Sequence, residues 1–157
     1  MLRRVELTDP LVAPLLDGLG REYDERYGPG DELGAYDAVE FSPPCGVFVV
    51  LEIGGVLAAG GGLRRWAPGV AELKRMWTDP EQRRRGHARA VLEQLEQHAR
   101  RLGYARVRME TGTAQPEALA LYAGAGDDRI VPYGRYSDDP RNVCFEKAFV
   151  PRAARKR

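Results

Sequence analysis

The middle of the chain contains a strand, a long amphipathic helix and a second strand, and this order constrains the fold more than any other feature. From Ala88 onward, apolar residues recur at i+3, i+4, i+7, i+11 and i+14, the spacing of one helical face. Strand patterns over 71–78 and 105–111 flank the helix, which is predicted over 87–102. Two parallel strands need a connection of this length. The sequence therefore predicts a βαβ crossover unit from Ala71 to Thr111.

An antiparallel meander precedes the crossover. Residues 47–53 are rich in β-branched and aromatic side chains, and Gly54-Gly55 is a two-residue hairpin turn before a returning strand over 56–64. A last strand is predicted over 142–149. The order β, α, β-β-β, α, β, α, β predicts one α/β (α+β) unit, with a mixed, largely antiparallel sheet flanked by helices.

The N-terminal part predicts a short strand over 2–7 and then a helix. Thr8-Asp9-Pro10 is a helix-start signal, and the helix runs to Tyr27, where Gly28-Pro29-Gly30 ends it. Residues 30–44 read as an irregular loop with Phe41 as an anchor. A further short helix opens at Gln115-Pro116.

Length and charge exclude several classes of protein. A chain of 157 residues fits a single domain, predicted over 1–150, followed by a basic, frayed tail over 151–157. Its formal charge of +1 argues against nucleic-acid binding, which needs a basic face. No segment is long and apolar enough to cross a membrane or to form a signal core, so the sequence predicts a cytoplasmic protein without a membrane partner.

The cysteines and histidines predict no metal site. Cys45 and Cys144 lie in apolar runs and read as small buried hydrophobes, with one disulfide or a reactive thiol as alternatives. His87 and His98 lie on one helix at a separation that matches no zinc spacing.

An arginine-rich turn opens the long helix. The run Arg83-Arg84-Arg85-Gly86-His87-Ala88, followed by Arg89, places free backbone amides, cations and a flexible glycine at a helix N-terminus. This combination favours an anion site, and Gly86 allows a bulky diphosphate to approach the backbone. The alternative is a solvated basic helix start.

The run from Glu72 to Ala88, E-L-K-R-M-W-T-D-P-E-Q-R-R-R-G-H-A, resembles motif A of the GNAT superfamily of N-acetyltransferases. In that family a strand, a proline turn and the pattern Q/R-x-x-G-x-G/A hold the pyrophosphate of acetyl-CoA. Arg83, Gly86 and Ala88 match its three fixed positions. The similarity extends over roughly residues 2 to 149 and weakens at 124–128, where the family usually has a G-F pair.

The resemblance implies acetyl-CoA as co-substrate. The backbone of Met76 and Thr78 should lie along its pantetheine arm, and Gln115 stands where the family commonly has Asn. The residues implied to hold the pyrophosphate are Arg83, Arg84, Arg85, Gly86, His87, Ala88 and Arg89.

The resemblance also implies the catalytic roles. Glu72 is the expected general base, Tyr122 the general acid and a cofactor contact, and the Met76 amide the oxyanion donor. Strand alternation places Glu72, Lys74 and Met76 on one face. A structural alternative is that Glu72 pairs with Lys74 or with a neighbouring strand.

The acceptor stays open at this stage. Tyr23, Tyr27, Arg135 and Tyr136 lie where such acceptors dock. Acidic residues of the first helix suit a cationic amine, whereas Arg64, Arg65 and Arg135 suit a carboxylate. The predicted acceptor is a primary amine of a small molecule, and the resemblance suggests a homodimer. Alternatives are a protein amine as acceptor, or a sensor module that binds acyl-CoA without turnover.

Overall fold

A computed structural model describes residues 1–27, 37–113 and 115–149, and it contains three helices and seven strands within them. The helices are α1 (Ala13–Tyr27), α2 (His87–Arg101) and α3 (Pro116–Gly124). The strands are β1 (Leu2–Arg4), β2 (Val47–Ile53), β3 (Val56–Ala67), β4 (Val70–Thr78), β5 (Arg106–Gly112), β6 (Asp128–Ile130) and β7 (Asn142–Ala148).

The strands form one sheet in the order β1-β2-β3-β4-β5-β7-β6. Its neighbouring strands pair antiparallel except β4 and β5, which are parallel and connected through α2. The predicted mixed sheet and its βαβ crossover are therefore confirmed. The predicted hairpin is confirmed as well, because Gly54 and Gly55 have φ values of 59° and 78°, which an L side chain adopts only at a cost.

The helices bury apolar stripes against opposite faces of the sheet. Val91 and Leu95 of α2 pack on one face, in a core that includes Leu73 of β4. Leu15 of α1 packs on the other face, in a core with the predicted anchor Phe41. Phe41 is 1% exposed and meets Phe48 edge-on, with ring centroids 6.2 Å apart. The site described below lies where this sheet opens between the two helices.

The structure differs from the sequence predictions at several points. Strand β1 ends at Arg4 rather than at residue 7, and residues 38–41 of the predicted loop form a 3-10 turn. The predicted helix start is a short 3-10 turn over Pro10–Val12, capped by the Asp9 carboxylate, before α1 begins. Strand β6 was not predicted, because its three residues are too short to show a period of two. Cys45 is exposed rather than buried, whereas Cys144 is buried as predicted, and both are free thiols.

Some predictions lie outside the described residues. They concern the stop at Gly28-Pro29-Gly30, residues 30–36 of the loop over 30–44 and the tail over 151–157. Within the ranges that are described, no helix is long and apolar enough to cross a membrane.

Candidate active site

Strands β4 and β5 pair only over part of their length. The parallel register covers residues 70–73 of β4. Beyond that point β4 continues beside β3 as far as Thr78, while β5 continues beside β7 as far as Gly112. In the part of the chain that the structure describes, no strand pairs with the β5-facing edge of residues 74–78. Backbone groups on this edge are therefore open to a ligand that lies along them.

The open stretch of β4 contains a β-bulge. Arg75 and Met76 both lie opposite the single residue Gly61, and Arg75 has a φ of 60°. The Met76 thioether fills the space beside Gly61, against the core under α2. The expectation that Glu72, Lys74 and Met76 share a face is therefore wrong, because the extra residue reverses the alternation. Glu72 and Lys74 point to the opposite face, on the side of α1.

The N-terminus of α2 has the geometry of an anion site. Gly86 is the N-cap residue of α2, with a φ of 80°, and no side chain bonds the first amides of the helix from this position. The first helical hydrogen bond runs from the amide of Ala90 to the Gly86 carbonyl, at 3.1 Å. Amides 87–89 therefore have no acceptor within the helix and lie at the positive end of its dipole. Space is open in front of Gly86, since a Cβ built there meets nothing within 4 Å.

The arginines around this N-terminus contact other parts of the protein. Arg84 is exposed, with a φ of 64°. The other three have acceptors: Glu22 of α1 for Arg83, Gln82 for Arg85, and the Gly124 carbonyl for Arg89. The ion pair of Arg83 connects the predicted phosphate site to α1, beside a cavity of about 230 Å³ lined by Arg83, Trp77, Pro80 and residues of α1.

Glu72 is buried within a network of polar side chains. Its carboxylate is 1% exposed. Oε1 accepts a hydrogen bond from Arg64 Nη1 at 2.8 Å, and Oε2 accepts one from the Tyr133 hydroxyl at 2.8 Å. Lys74 Nζ lies 4.0 Å from Oε2 and donates to Glu110 Oε1 at 2.7 Å. The pairing with a neighbouring strand, which the sequence left open, is thus present. It does not exclude proton transfer, because each carboxylate oxygen has two lone pairs.

Tyr122 of α3 is buried beside the open stretch. It is 4% exposed, and its ring lies 5.8 Å from that of Phe145. Burial raises the pKa of the Tyr122 hydroxyl, and nearby Tyr23 and Asp127 raise it further. The hydroxyl therefore stays protonated at neutral pH and can donate a proton. The influence of Tyr23 also shows that α1 brings this predicted acceptor residue close to Tyr122.

The structure locates three of the remaining predicted residues. Thr78 ends β4. Gln115 lies between β5 and α3, and its backbone N–H donates to the Gly112 carbonyl at 2.9 Å. Tyr136 lies in a 3-10 turn before β7, and its carbonyl accepts a hydrogen bond from the Asn142 side chain. The side chains of Tyr27 and Arg135 lie outside the described residues.

Tyr133 is the main site residue whose contacts the sequence did not predict. Burial raises the pKa of its hydroxyl, and Glu72 raises it further. Trp66 meets its ring edge-on at 4.9 Å, and the Arg108 guanidinium lies 4.6 Å from the ring centroid. One signal was present in the sequence: charged residues alternate with apolar ones on β4 and β5, which indicates a polar face. That face has residues 72 and 74 on β4, and 108 and 110 on β5.

Asp127 lies where the chain departs from the pattern of the resembled family. It is 7% exposed, and both carboxylate oxygens lack a hydrogen-bond partner among the described residues. Burial and the nearby Glu96 raise the pKa of Asp127 to about 6, an effect that Lys147 opposes and Asp128 reinforces. Between about pH 4 and pH 6, the folded state keeps a proton on Asp127 that the unfolded chain has released. The free energy of unfolding therefore falls as the pH rises through this range.

Replacing Asp127 with Asn is expected to stabilise the protein at pH 8 and to have little effect at pH 4.5. The gain should be about 1 kcal/mol, after a discount for partial screening by solvent. Urea unfolding at both pH values measures it. Asp128→Asn is the control, because Asp128 is an exposed neighbour. If Asp127→Asn loses stability at pH 8, the buried charge is compensated and the prediction is wrong.

Comparisons with known proteins agree with this geometry. The acetyltransferase (GNAT) family model matches residues 16–126. The chain is 30% identical over 137 residues to an IAA acetyltransferase of Azospirillum brasilense, covering 87% of this chain and 89% of that protein. Its fold is similar to that of a protein provisionally assigned as an acyl-CoA N-acyltransferase from Klebsiella pneumoniae, with a TM-score of 0.79, 25% identity, and coverage of 94% of this chain and 96% of the other.

A second solved structure adds a ligand to the comparison. The PaiA N-acetyltransferase of Thermoplasma acidophilum, solved in complex with coenzyme A, matches with a TM-score of 0.71 and 17% identity, over 95% of this chain and 98% of that one. At this identity the match shows a common fold. Together with the family model, the comparisons establish that the chain belongs to the GNAT family and is an acyl-CoA-dependent N-acetyltransferase.

Proposed function

We propose that this enzyme transfers the acetyl group of acetyl-CoA to a primary amine of a small molecule, by direct attack of the amine. The open edge of β4 carries the proposal, because it ends beside the free amides at the N-terminus of α2. A ligand with an extended amide-containing arm and a diphosphate fits both features at once. When bound, acetyl-CoA supplies the acetyl group as a thioester.

The phosphate end of the site consists of amides and arginines. Residues 87–89, directly after Gly86, offer backbone donors without helical partners. Arg83, Arg84, Arg85 and Arg89 supply positive charge around them. Arginine is well suited to this role, since its planar guanidinium binds phosphate oxygens in pairs. Arg83 would exchange its carboxylate partner Glu22 for a phosphate.

The pantetheine arm would lie along the open edge of β4, with Met76 and Thr78 as backbone partners and Gln115 and Tyr122 across the gap. The bulge at Arg75 interrupts the pairing of β4 with β3 at this point. We assign the Met76 amide as the donor to the oxyanion of the tetrahedral intermediate. One such donor lowers the barrier by about 3 kcal/mol.

The proton transfers are assigned to Glu72 and Tyr122. An alkyl amine has a pKa near 10.4, so only about one molecule in 10³ is nucleophilic at pH 7. Glu72 takes the proton of the amine, directly or through water, on the α1 face of the sheet. Tyr122 gives its proton to the departing thiolate of coenzyme A.

The acceptor is placed on the α1 face, among Tyr23, Tyr27, Arg135 and Tyr136. The electrostatic influence of Tyr23 on Tyr122 supports this placement, because it indicates that α1 lies near the proposed acid. The charged residues of the cluster around Glu72 pair with one another, so they do not select a charged acceptor by themselves. The acceptor panel below therefore includes acceptors of different size and charge.

Thiol release from acetyl-CoA with a panel of acceptors tests the proposal. The panel contains small primary amines, a lysine peptide, and IAA, after which the Azospirillum relative is named. Turnover with a small amine supports the proposal. Turnover with the peptide alone would assign a protein amine instead, and binding of acetyl-CoA without turnover would assign a sensor, which the burial of Glu72 would then explain.

Tyr122→Phe is expected to lower kcat by about 10²-fold, with little change in the Kd for acetyl-CoA. The substitution removes the proton donor and leaves the ring that packs on Phe145. Steady-state thiol release and calorimetric titration give the two values. Tyr104→Phe is the matched control, because its hydroxyl bonds the Cys45 carbonyl. Equal kcat values for Tyr122→Phe and wild type would show that another group protonates the thiolate.

A further inference from the structure

Two separate segments on the α1 face hold the Glu72 carboxylate. From one side, Arg64 donates to Glu72 Oε1 and also to Glu40 Oε1, at 2.8 and 2.7 Å, and Glu40 lies in the 3-10 turn over Ala38–Phe41. From the other side, Tyr133 reaches Oε2 from the segment that connects β6 to β7. Glu72 is thus fixed by partners 8 and 61 residues away in the sequence.

The position of Tyr133 is itself determined by packing. Trp66 of β3 contacts one side of its ring, and the Arg108 guanidinium lies over the ring. Arg108 in turn donates to Glu146 of β7, at 2.6 Å. These contacts hold the ring in the position from which its hydroxyl donates to Glu72 Oε2.

The surroundings of Glu72 contain charged groups of both signs. The cationic groups around it are Arg64 of β3, Lys74 of β4 and Arg108 of β5, and the anionic ones are Glu40 and Glu110. Lys74 pairs with Glu110 and Arg108 with Glu146, so Arg64 and Tyr133 are the direct donors to Glu72.

We propose that Tyr133 is a positioning residue for the general base: its hydroxyl holds Oε2 of Glu72, so that the carboxylate keeps the orientation in which it accepts the proton of the amine. This inference rests on the proposed function of Glu72. It extends that function by making the segment before β7 part of the proton-transfer apparatus. A change in that segment therefore alters the chemical step as well as acceptor binding.

Tyr133→Phe tests the inference directly. With protein labelled with ¹³C at glutamate side-chain carboxyls, the Glu72 resonance is the one missing from Glu72→Gln. Its chemical shift at neutral pH should change in Tyr133→Phe, because the hydroxyl that donates to Oε2 is lost. Tyr104→Phe should leave the resonance in place. An unchanged Glu72 resonance in Tyr133→Phe overturns the inference.

Kinetics separate this inference from the proposed function. With the best acceptor of the panel, Tyr133→Phe should lower kcat by about 10-fold and leave KM near the wild-type value, because the base is present but no longer held in place. In a Glu72→Gln background, Tyr133→Phe should cause no further loss, and an equal loss there would overturn the inference. If Glu72→Gln alone has the wild-type rate, the base assignment fails, whatever Tyr133 does to the resonance.

Discussion

Glu72→Gln is expected to lower kcat/KM by about 10²- to 10⁴-fold, the range of a lost general base. The amide keeps the shape of the side chain: its oxygen can accept from Arg64, and its NH2 group can donate to the Tyr133 hydroxyl oxygen. It cannot take a proton at neutral pH. The Kd for acetyl-CoA should stay near the wild-type value, because Glu72 lies on the face of β4 opposite the Met76 side chain. Thiol release and calorimetric titration measure the two quantities.

The control for Glu72→Gln is Glu52→Gln. Glu52 is also paired with an arginine, Arg3, at 2.6 Å, but it lies on β2. Its variant should retain activity, which would show that the loss is specific to Glu72. Thermal unfolding of both variants checks that the network still forms, since Arg64 keeps Glu40 as a partner in Glu72→Gln. A folded Glu72→Gln enzyme with full activity would exclude Glu72 as the base.

Gly86→Glu is expected to weaken the binding of coenzyme A by about 10²-fold or more. The new carboxylate would lie at the N-terminus of α2, where the pyrophosphate is proposed to bind. Two like charges about 4 Å apart repel by about 1 kcal/mol in water and by about 4 kcal/mol near a protein surface. The variant should still fold, because the added side chain meets open space and costs about 1 kcal/mol for its left-handed backbone.

The same helix offers a matched control. Gly103 follows the C-terminal end of α2, with a φ of 90°, and a Cβ added there would also meet open space. Gly103→Glu therefore introduces the same charge and a similar backbone cost at the other end. Gly86→Ala separates strain from charge and should bind coenzyme A more tightly than Gly86→Glu. If Gly86→Glu and wild type give the same Kd in calorimetric titration, the phosphate site lies elsewhere.

The elements of this fold could be predicted where a local period was strong. The apolar face of α2 repeats over four turns, and the hairpin between β2 and β3 turns at two glycines. Local sequence was therefore sufficient to predict both elements. The bulge at Arg75 could not be predicted in this way. Its left-handed residue is an arginine rather than the glycine that usually marks such a position, and the register with β3 produces it. One inserted residue then reversed the expected direction of the Met76 side chain.

The candidate site was predictable in its backbone and less so in its side-chain contacts. The glycine, arginines and strand–turn–helix order around Gly86 are contiguous in sequence, and they indicated the phosphate end. The bond from Tyr133 to Glu72 joins residues 61 positions apart, and it depends on the course of a segment without a regular period. Cys45 shows the same limit, because an apolar neighbourhood in sequence did not make it buried.

The partial pairing of β4 with β5 divides the sheet into two blocks of strands, β1 to β4 and β5 to β7, joined at the centre by residues 70–73. A ligand in the gap would donate and accept hydrogen bonds on behalf of the missing strand pairs. It would thereby become a structural part of the sheet. The free energy of ligand binding would therefore add to the stability of the sheet between β4 and β5. Release of coenzyme A after each turnover would remove that contribution.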